Sequence, residues 1–184
     1  MPYLFVGAFF CPGKDFFMKK LNKRTRFIAV SAMIAAMYVA LSAISAAFGM
    51  VSGEIQCRLS EMLCVLPVFT FAAVPGVTIG CFLTNILYGA SIFDMIFGTL
   101  ATLIGALIAY AIRKFPYLAS IPTILSNAII VPIVLICSGL GLTWAQFPLL
   151  AFQVAIGEII ACGILGTILV WYLVKHPKTA EILK

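Results

Sequence analysis

The chain has 184 residues, 64% of them hydrophobic and 10% charged, with a formal net charge of +6, and its mean hydropathy is +1.17. A soluble domain uses close to half apolar residues and needs polar side chains for its outer faces, so this composition excludes a soluble enzyme and defines a polytopic membrane protein. The positive balance is a topology signal rather than a nucleic-acid patch, because the basic residues flank apolar runs.

The opening segment, MPYLFVGAFFCPGKDFF, is too short to span and is broken at Cys11-Pro12-Gly13. It has no basic start and makes a poor signal peptide. Met18-Lys19-Lys20 reads as an ordinary start ahead of a first membrane helix. Residues 1–17 are therefore read as a non-native or disordered extension, and residues 18–184 as one six-helix transmembrane domain.

Lipid requires each segment to satisfy its own backbone groups, and no alternating barrel pattern appears, so the fold class is all-α. Apolar runs place six spans at Phe27–Met50, Leu59–Val74, Gly76–Tyr88, Ile92–Ile112, Leu118–Leu140 and Phe147–Val174. Pro75-Gly76 marks the hinge between the second and third. Six spans put eleven of the twelve Lys and Arg on one side, all except Arg58. The positive-inside rule makes that side cytoplasmic, with both termini inside.

The first span carries no charge, and Ala32, Ala36 and Ala40 recur at i, i+4 and i+8, extended by Ala29, Ala43 and Ala47. Such a stripe lets another helix approach closely. Spacing alone favours packing within this bundle.

After it comes GEIQCRLSEMLCVLP, which crowds Glu54, Gln56, Arg58 and Glu61 between apolar runs. Ionisable groups in or beside spans are functional candidates because they are costly there. Arg58 and Glu61, three apart, read equally as a helix-start ion pair and as ligand contacts. Asn85 falls near the outer end of the third span. Asp94 falls at the next outer turn, where a helix cap is the favoured reading. Asn127 reads as an interhelical hydrogen-bond partner, Gln153 as either partner or ligand contact. Glu158 has no basic residue in its own span and is the strongest candidate for binding. All these polar groups converge on the outward side. Four acids against one arginine suit a ligand rich in N–H donors or carrying a cation, not a phosphate. Phe82, Tyr88, Phe93, Trp144 and Phe152 are candidates for a stacking wall.

The six cysteines show no C-x-x-C spacing, and most read as small packing residues within spans. One histidine, His176, leaves no basis for a His metal site or Ser-His catalysis. There is no phosphate-binding G-x-x-x-x-G-K-[ST] loop and no strong inverted repeat. Uphill transport would draw its energy from another subunit.

The segments GEIQCRLSEMLCVLP, PGVTIGCFLTNILYG, DMIFGTLATLIGALIAY and VAIGEIIACGILG, in this order, resemble the queuosine-precursor transporter (QueT) family. The resemblance runs from Lys19 to Val174. It implies a substrate-binding S component of an energy-coupling factor (ECF) importer in a bacterial cell membrane, working with a coupling (T) protein and two cytoplasmic ATPases. The implied ligand is a 7-deazaguanine: prequeuosine base, its nitrile precursor or queuine. The subunit itself is not an enzyme and needs no cofactor or metal. The resemblance raises the partner-interface reading of Ala32, Ala36 and Ala40, and makes Val51–Arg58 a lid. It assigns substrate binding to Glu54, Gln56, Arg58, Glu61, Asn85, Asp94, Gln153 and Glu158. Cys57 stands where an aromatic is expected in the family. Two alternatives stay open: an S component for another vitamin, such as riboflavin or a thiamin precursor, and a membrane assembly protein.

Overall fold

A computed structural model of the chain describes residues 22–49, 58–137 and 143–176. The segment 1–17, and with it the proposed start at Met18, lies outside the described residues, as do Glu54, Gln56, Cys57 and all of the expected lid except Arg58.

Six helices run through the described residues: α1 Lys23–Ala47, α2 Leu59–Val68, α3 Ala73–Leu87, α4 Asp94–Ala111, α5 Pro116–Cys137 and α6 Trp144–Lys175. Four of them, α1, α4, α5 and α6, are long and apolar enough to cross a membrane, while α2 and α3 are shorter. No strand occurs among the described residues. Large apolar side chains such as Ile28, Leu87, Ile129, Ile164 and Trp171 face outward on several helices. In water this surface would aggregate; against lipid tails it costs nothing.

The second and third helices depart from expectation. The break falls at Phe69–Ala72, not at Pro75-Gly76. Pro75 sits in the first turn of α3, where backbone N–H groups have no intrahelical partner and proline's missing N–H costs little. It opens a helix rather than hinging one. α2 is a 3₁₀ helix of ten residues, eight of them buried. At ~2 Å rise per residue it covers roughly 20 Å, about a third more than an α-helix of equal length. It packs against α1, α3, α4 and α6 and forms the central rod of the bundle.

α1 is held by a polar stripe on its inner face, Ser31, Tyr38, Ser42 and Ser45, all buried. Ser31 Oγ donates to Ala72 O at 2.8 Å, Ser42 Oγ to Ser60 Oγ at 2.8 Å, and Leu59 N–H donates to Ser45 Oγ at 2.9 Å. These bonds fix both ends of α2 against α1. Beside the stripe the α1 and α3 backbones nearly touch: a Cβ added at Gly80 would lie 2.6 Å from Tyr38 Cβ, and one at Gly76 would lie 2.9 Å from Ile34 Cβ. Small residues at these two positions permit the approach.

Because successive helices alternate in direction, Lys23, Arg24, Arg26, Arg113, Lys114 and Lys175 gather at one end of the bundle. The three acids among the described residues, Glu61, Asp94 and Glu158, lie toward the other. Ala32, Ala36 and Ala40 point out of the bundle and are exposed. The internal-packing reading that spacing favoured is thereby overturned; α3 uses Gly76 and Gly80 against the neighbouring face of α1 instead.

Candidate substrate-binding site

The acidic end holds a cavity of about 220 Å³ whose walls come from α2 to α6 and the α3–α4 turn. Arg58, Glu61, Asn85, Asp94 and Glu158, expected as binding residues from sequence, all line it, together with Asn127, Tyr88, Cys81, Gly98 and Thr102. Gln153 does not; its neighbour Val154 faces the cavity in its place. Of the aromatic residues considered for a stacking wall, Tyr88 alone lines the cavity among the described residues. Phe82, Phe93, Trp144 and Phe152 are exposed on the outside.

Each polar group is set by local structure. Glu61 lies in the first turn of α2 and is only 4% exposed. Its Oε1 accepts a hydrogen bond from Tyr38 Oη of α1, and its Oε2 accepts from Cys64 Sγ at 3.1 Å. Arg58, immediately before α2, donates Nη1 to Asn85 Oδ1 at 3.1 Å rather than pairing with Glu61. Asn85 is anchored through its own backbone: its carbonyl accepts the Ala90 N–H at 3.0 Å while Gly89 N–H bonds Ile86 O at 3.1 Å. This Schellman turn needs a left-handed residue, supplied by Gly89 at φ 63°.

Asp94 begins a π-helical turn, Asp94–Gly98. Its N–H donates to Ser91 Oγ at 3.1 Å, so Ser91 makes the cap expected of Asp94, whose side chain is left on the cavity wall. Gly98 makes room for it, since a Cβ there would meet Asp94 Oδ1 at 3.1 Å. Thr102 Oγ1 donates to Cys81 Sγ at 3.4 Å on the same wall.

Glu158 ends the first regular stretch of α6, immediately before a second π-helical segment, Ile159–Leu165. Irregular turns of this kind re-aim side chains and recur at functional sites. Glu158 is 9% exposed. Asn127 Nδ2 donates to its Oε1 at 2.7 Å, which bears out the interhelical reading of Asn127 and also places it on the wall. Oε2 is buried with no hydrogen-bond partner among the described residues. A buried acceptor without a donor is costly. Glu158 lines the cavity, and a bound N–H group that reached this oxygen would satisfy it.

Three carboxylates and one guanidinium in one small cavity suit a compact ligand presenting several N–H donors. Among the described residues no cluster suited to a metal is present. Sequence reasoning missed Tyr38, Cys64, Cys81 and Thr102. Only Tyr38 had a legible signal: Ser31, Tyr38, Ser42 and Ser45 recur at spacings of seven, four and three, one face of a helix.

An apolar helical bundle with a small polar site walled by five of its helices is the architecture of a membrane protein that binds a small solute. The QueT transporter family model matches residues 28–175, and the chain belongs to that family. It is a membrane transport protein. Neither the curated proteins nor the solved structures compared with the chain contain a match.

Proposed function

We propose that the chain is the substrate-capture subunit of an ATP-driven ECF importer and binds a 7-deazaguanine queuosine precursor from outside the cell. The observation that carries this reading is the Glu158 carboxylate on the cavity wall, one oxygen held by Asn127 and the other buried without a hydrogen-bond partner among the described residues. The amidine-like edge of a guanine presents two parallel N–H groups, which a carboxylate accepts together. Oε2 takes one, and the remaining lone pair of Oε1 takes the other. Arg58 and Asn85, bonded to each other, orient a ring carbonyl. Glu61 and Asp94 accept further donors or the aminomethyl cation of the prequeuosine base. Glu54, Gln56 and Gln153 remain proposed further contacts.

The positive-inside rule applied to the basic rim directs the cavity outward and both termini to the cytoplasm. The chain has no phosphate-binding loop, so the energy comes from partner ATPases through a coupling protein. The exposed Ala32, Ala36 and Ala40, the first two of which line a shallow groove with Pro75 and Ile79, form the docking face for that protein.

The test is calorimetric titration of the purified subunit with prequeuosine base, queuine, guanine and riboflavin. Tight binding of one deazaguanine, lost in Glu158→Gln, supports the reading. A response to riboflavin alone keeps the capture role and replaces the substrate. Silence for every ligand from a folded sample, with no ATPase co-purifying from native membranes, favours an assembly role.

A further inference from the structure

We propose that the recess at the basic end of the bundle binds the phosphate of an anionic phospholipid headgroup. The recess is about 670 Å³ and is bordered by Phe27, Thr70, Phe71, Tyr110, Arg113 and Lys114. It exists because α2 and α3 stop short. Ser31 Oγ bonds Ala72 O in the turn between them, which sets that turn eight residues inward from Lys23, the start of α1. At ~1.5 Å per residue the turn lies roughly 12 Å inside the end of α1, deeper than one headgroup layer of about 5–7 Å.

Non-helical backbone at such depth must face protein or a polar filling. The carbonyls of Thr70, Phe71 and Ala72 in this turn, and that of Leu66 just before it, already accept hydrogen bonds. Leu66 O takes the N–H groups of Phe69 and Thr70, Thr70 O takes Ala73 N–H, Phe71 O takes Val74 N–H, and Ala72 O takes Gly76 N–H and Ser31 Oγ. The recess therefore offers little to a cation. What it offers is the cationic pair Arg113 and Lys114, both exposed, and the three described acids lie toward the opposite end of the bundle. The Arg113 guanidinium is held over the Tyr110 ring at 4.7 Å. Tyr110 packs edge-on against Phe71 at 5.0 Å, and Phe71 stacks on Phe27 at 6.2 Å. A guanidinium drawn to a ring face keeps its N–H donors for phosphate oxygens.

The aromatic walls select a lipid over free phosphate. Phe27 and Phe71 are both partly exposed and give an acyl chain an apolar path out of the recess. A basic pocket between helices on the positively flanked side is where anionic headgroups bind.

The test is native mass spectrometry of the full chain in nonionic detergent, with equimolar phosphatidylglycerol and phosphatidylcholine of identical acyl chains. The expected result is an excess of phosphatidylglycerol adducts that falls in Arg113→Ala/Lys114→Ala. Each cation near an anionic headgroup is worth roughly fivefold, so the pair accounts for about thirtyfold. Lys23→Ala/Arg24→Ala, which removes two cations outside the recess, is expected to leave the excess largely intact. Arg113→Gln removes the charge but keeps part of the aliphatic stem and serves if the double variant melts early. Equal adducts of the two lipids, or equal loss in both double variants, would overturn the proposal. So would displacement of the lipid by millimolar inorganic phosphate.

Discussion

Asn127 of α5 donates to Glu158 of α6 at 2.7 Å through one carboxylate oxygen only, and the other oxygen is buried on the cavity wall without a donor. A carboxylate so placed is destabilising until a ligand arrives. Glu158→Gln preserves the side-chain shape and can keep the bond from Asn127, but it replaces an acceptor with an amide donor. A hydrogen bond to a charged group contributes about 1.5–3 kcal/mol, so deazaguanine affinity is expected to fall roughly 10- to 100-fold. The thermal midpoint in detergent should stay level, because the amide keeps the side-chain shape and the bond from Asn127. Calorimetry and melting on the same sample separate the two effects. Unchanged affinity removes Glu158 from the site.

Tyr38 supports the site from behind. Its hydroxyl donates to Glu61 Oε1 and the residue is fully buried in α1. Tyr38→Phe keeps the ring and deletes the donor, leaving Cys64 as the remaining partner of Glu61. Loss of a buried donor to a carboxylate costs about 1–3 kcal/mol. The variant should melt lower and bind ligand more weakly, while Tyr88→Phe, on the exposed rim, should melt like the parent. Equal melting of Tyr38→Phe and parent would show that Glu61 does not depend on this bond.

Much of this arrangement was legible in the chain. Hydropathy located all six helices, because a bilayer forces apolar runs of helical length. The rarity of acids in spans singled out Glu61, Asp94 and Glu158, and all three reach one cavity. The misreadings have physical causes. Pro75 looks like a breaker until its place in a first turn is known, and that depends on where α2 ends. Ser91 and Asp94 are both good caps, and sequence spacing does not rank them. The facing of the alanine stripe turns on which side of α1 meets α3, and Gly76 and Gly80 decide that through distances no local pattern encodes. Aromatic residues carry no facing signal in a membrane protein, since lipid and core are both apolar. Phe152 and Trp144 therefore looked as suitable for the wall as Tyr88.

Gly80 tests the α1–α3 contact. A methyl group there would come within 2.6 Å of Tyr38 Cβ and 3.2 Å of Ala35 O, and neither can yield without moving a helix. Gly80→Ala is expected to destabilise by about 1–3 kcal/mol through overpacking. It should also weaken ligand binding, since Tyr38 and the Glu61 it holds move together. Gly163→Ala is the matched control: its nearest neighbour would be Ile124 Cδ1 at 3.6 Å, an ordinary contact. Thermal melting that ranks Gly163→Ala with Gly80→Ala would refute the close-approach argument.

The outward alanines separate binding from coupling. Ala36 is exposed on α1 and borders the groove with Pro75 and Ile79, on a different face of α1 from Tyr38 and Ser42. Ala36→Trp adds bulk where the bundle packs nothing, so its melting and its deazaguanine affinity are expected to match the parent. If a partner helix docks on this stripe, a large ring holds the two backbones apart, because such contacts rely on small residues. Co-purification of the coupling protein and ATPases should fall at least several-fold, and uptake in cells should fall with it. Leu125→Trp, at an exposed position on α5, should leave both intact. Loss of uptake with normal partner recovery would move the coupling surface elsewhere, while normal uptake in Ala36→Trp would free the stripe from any docking role.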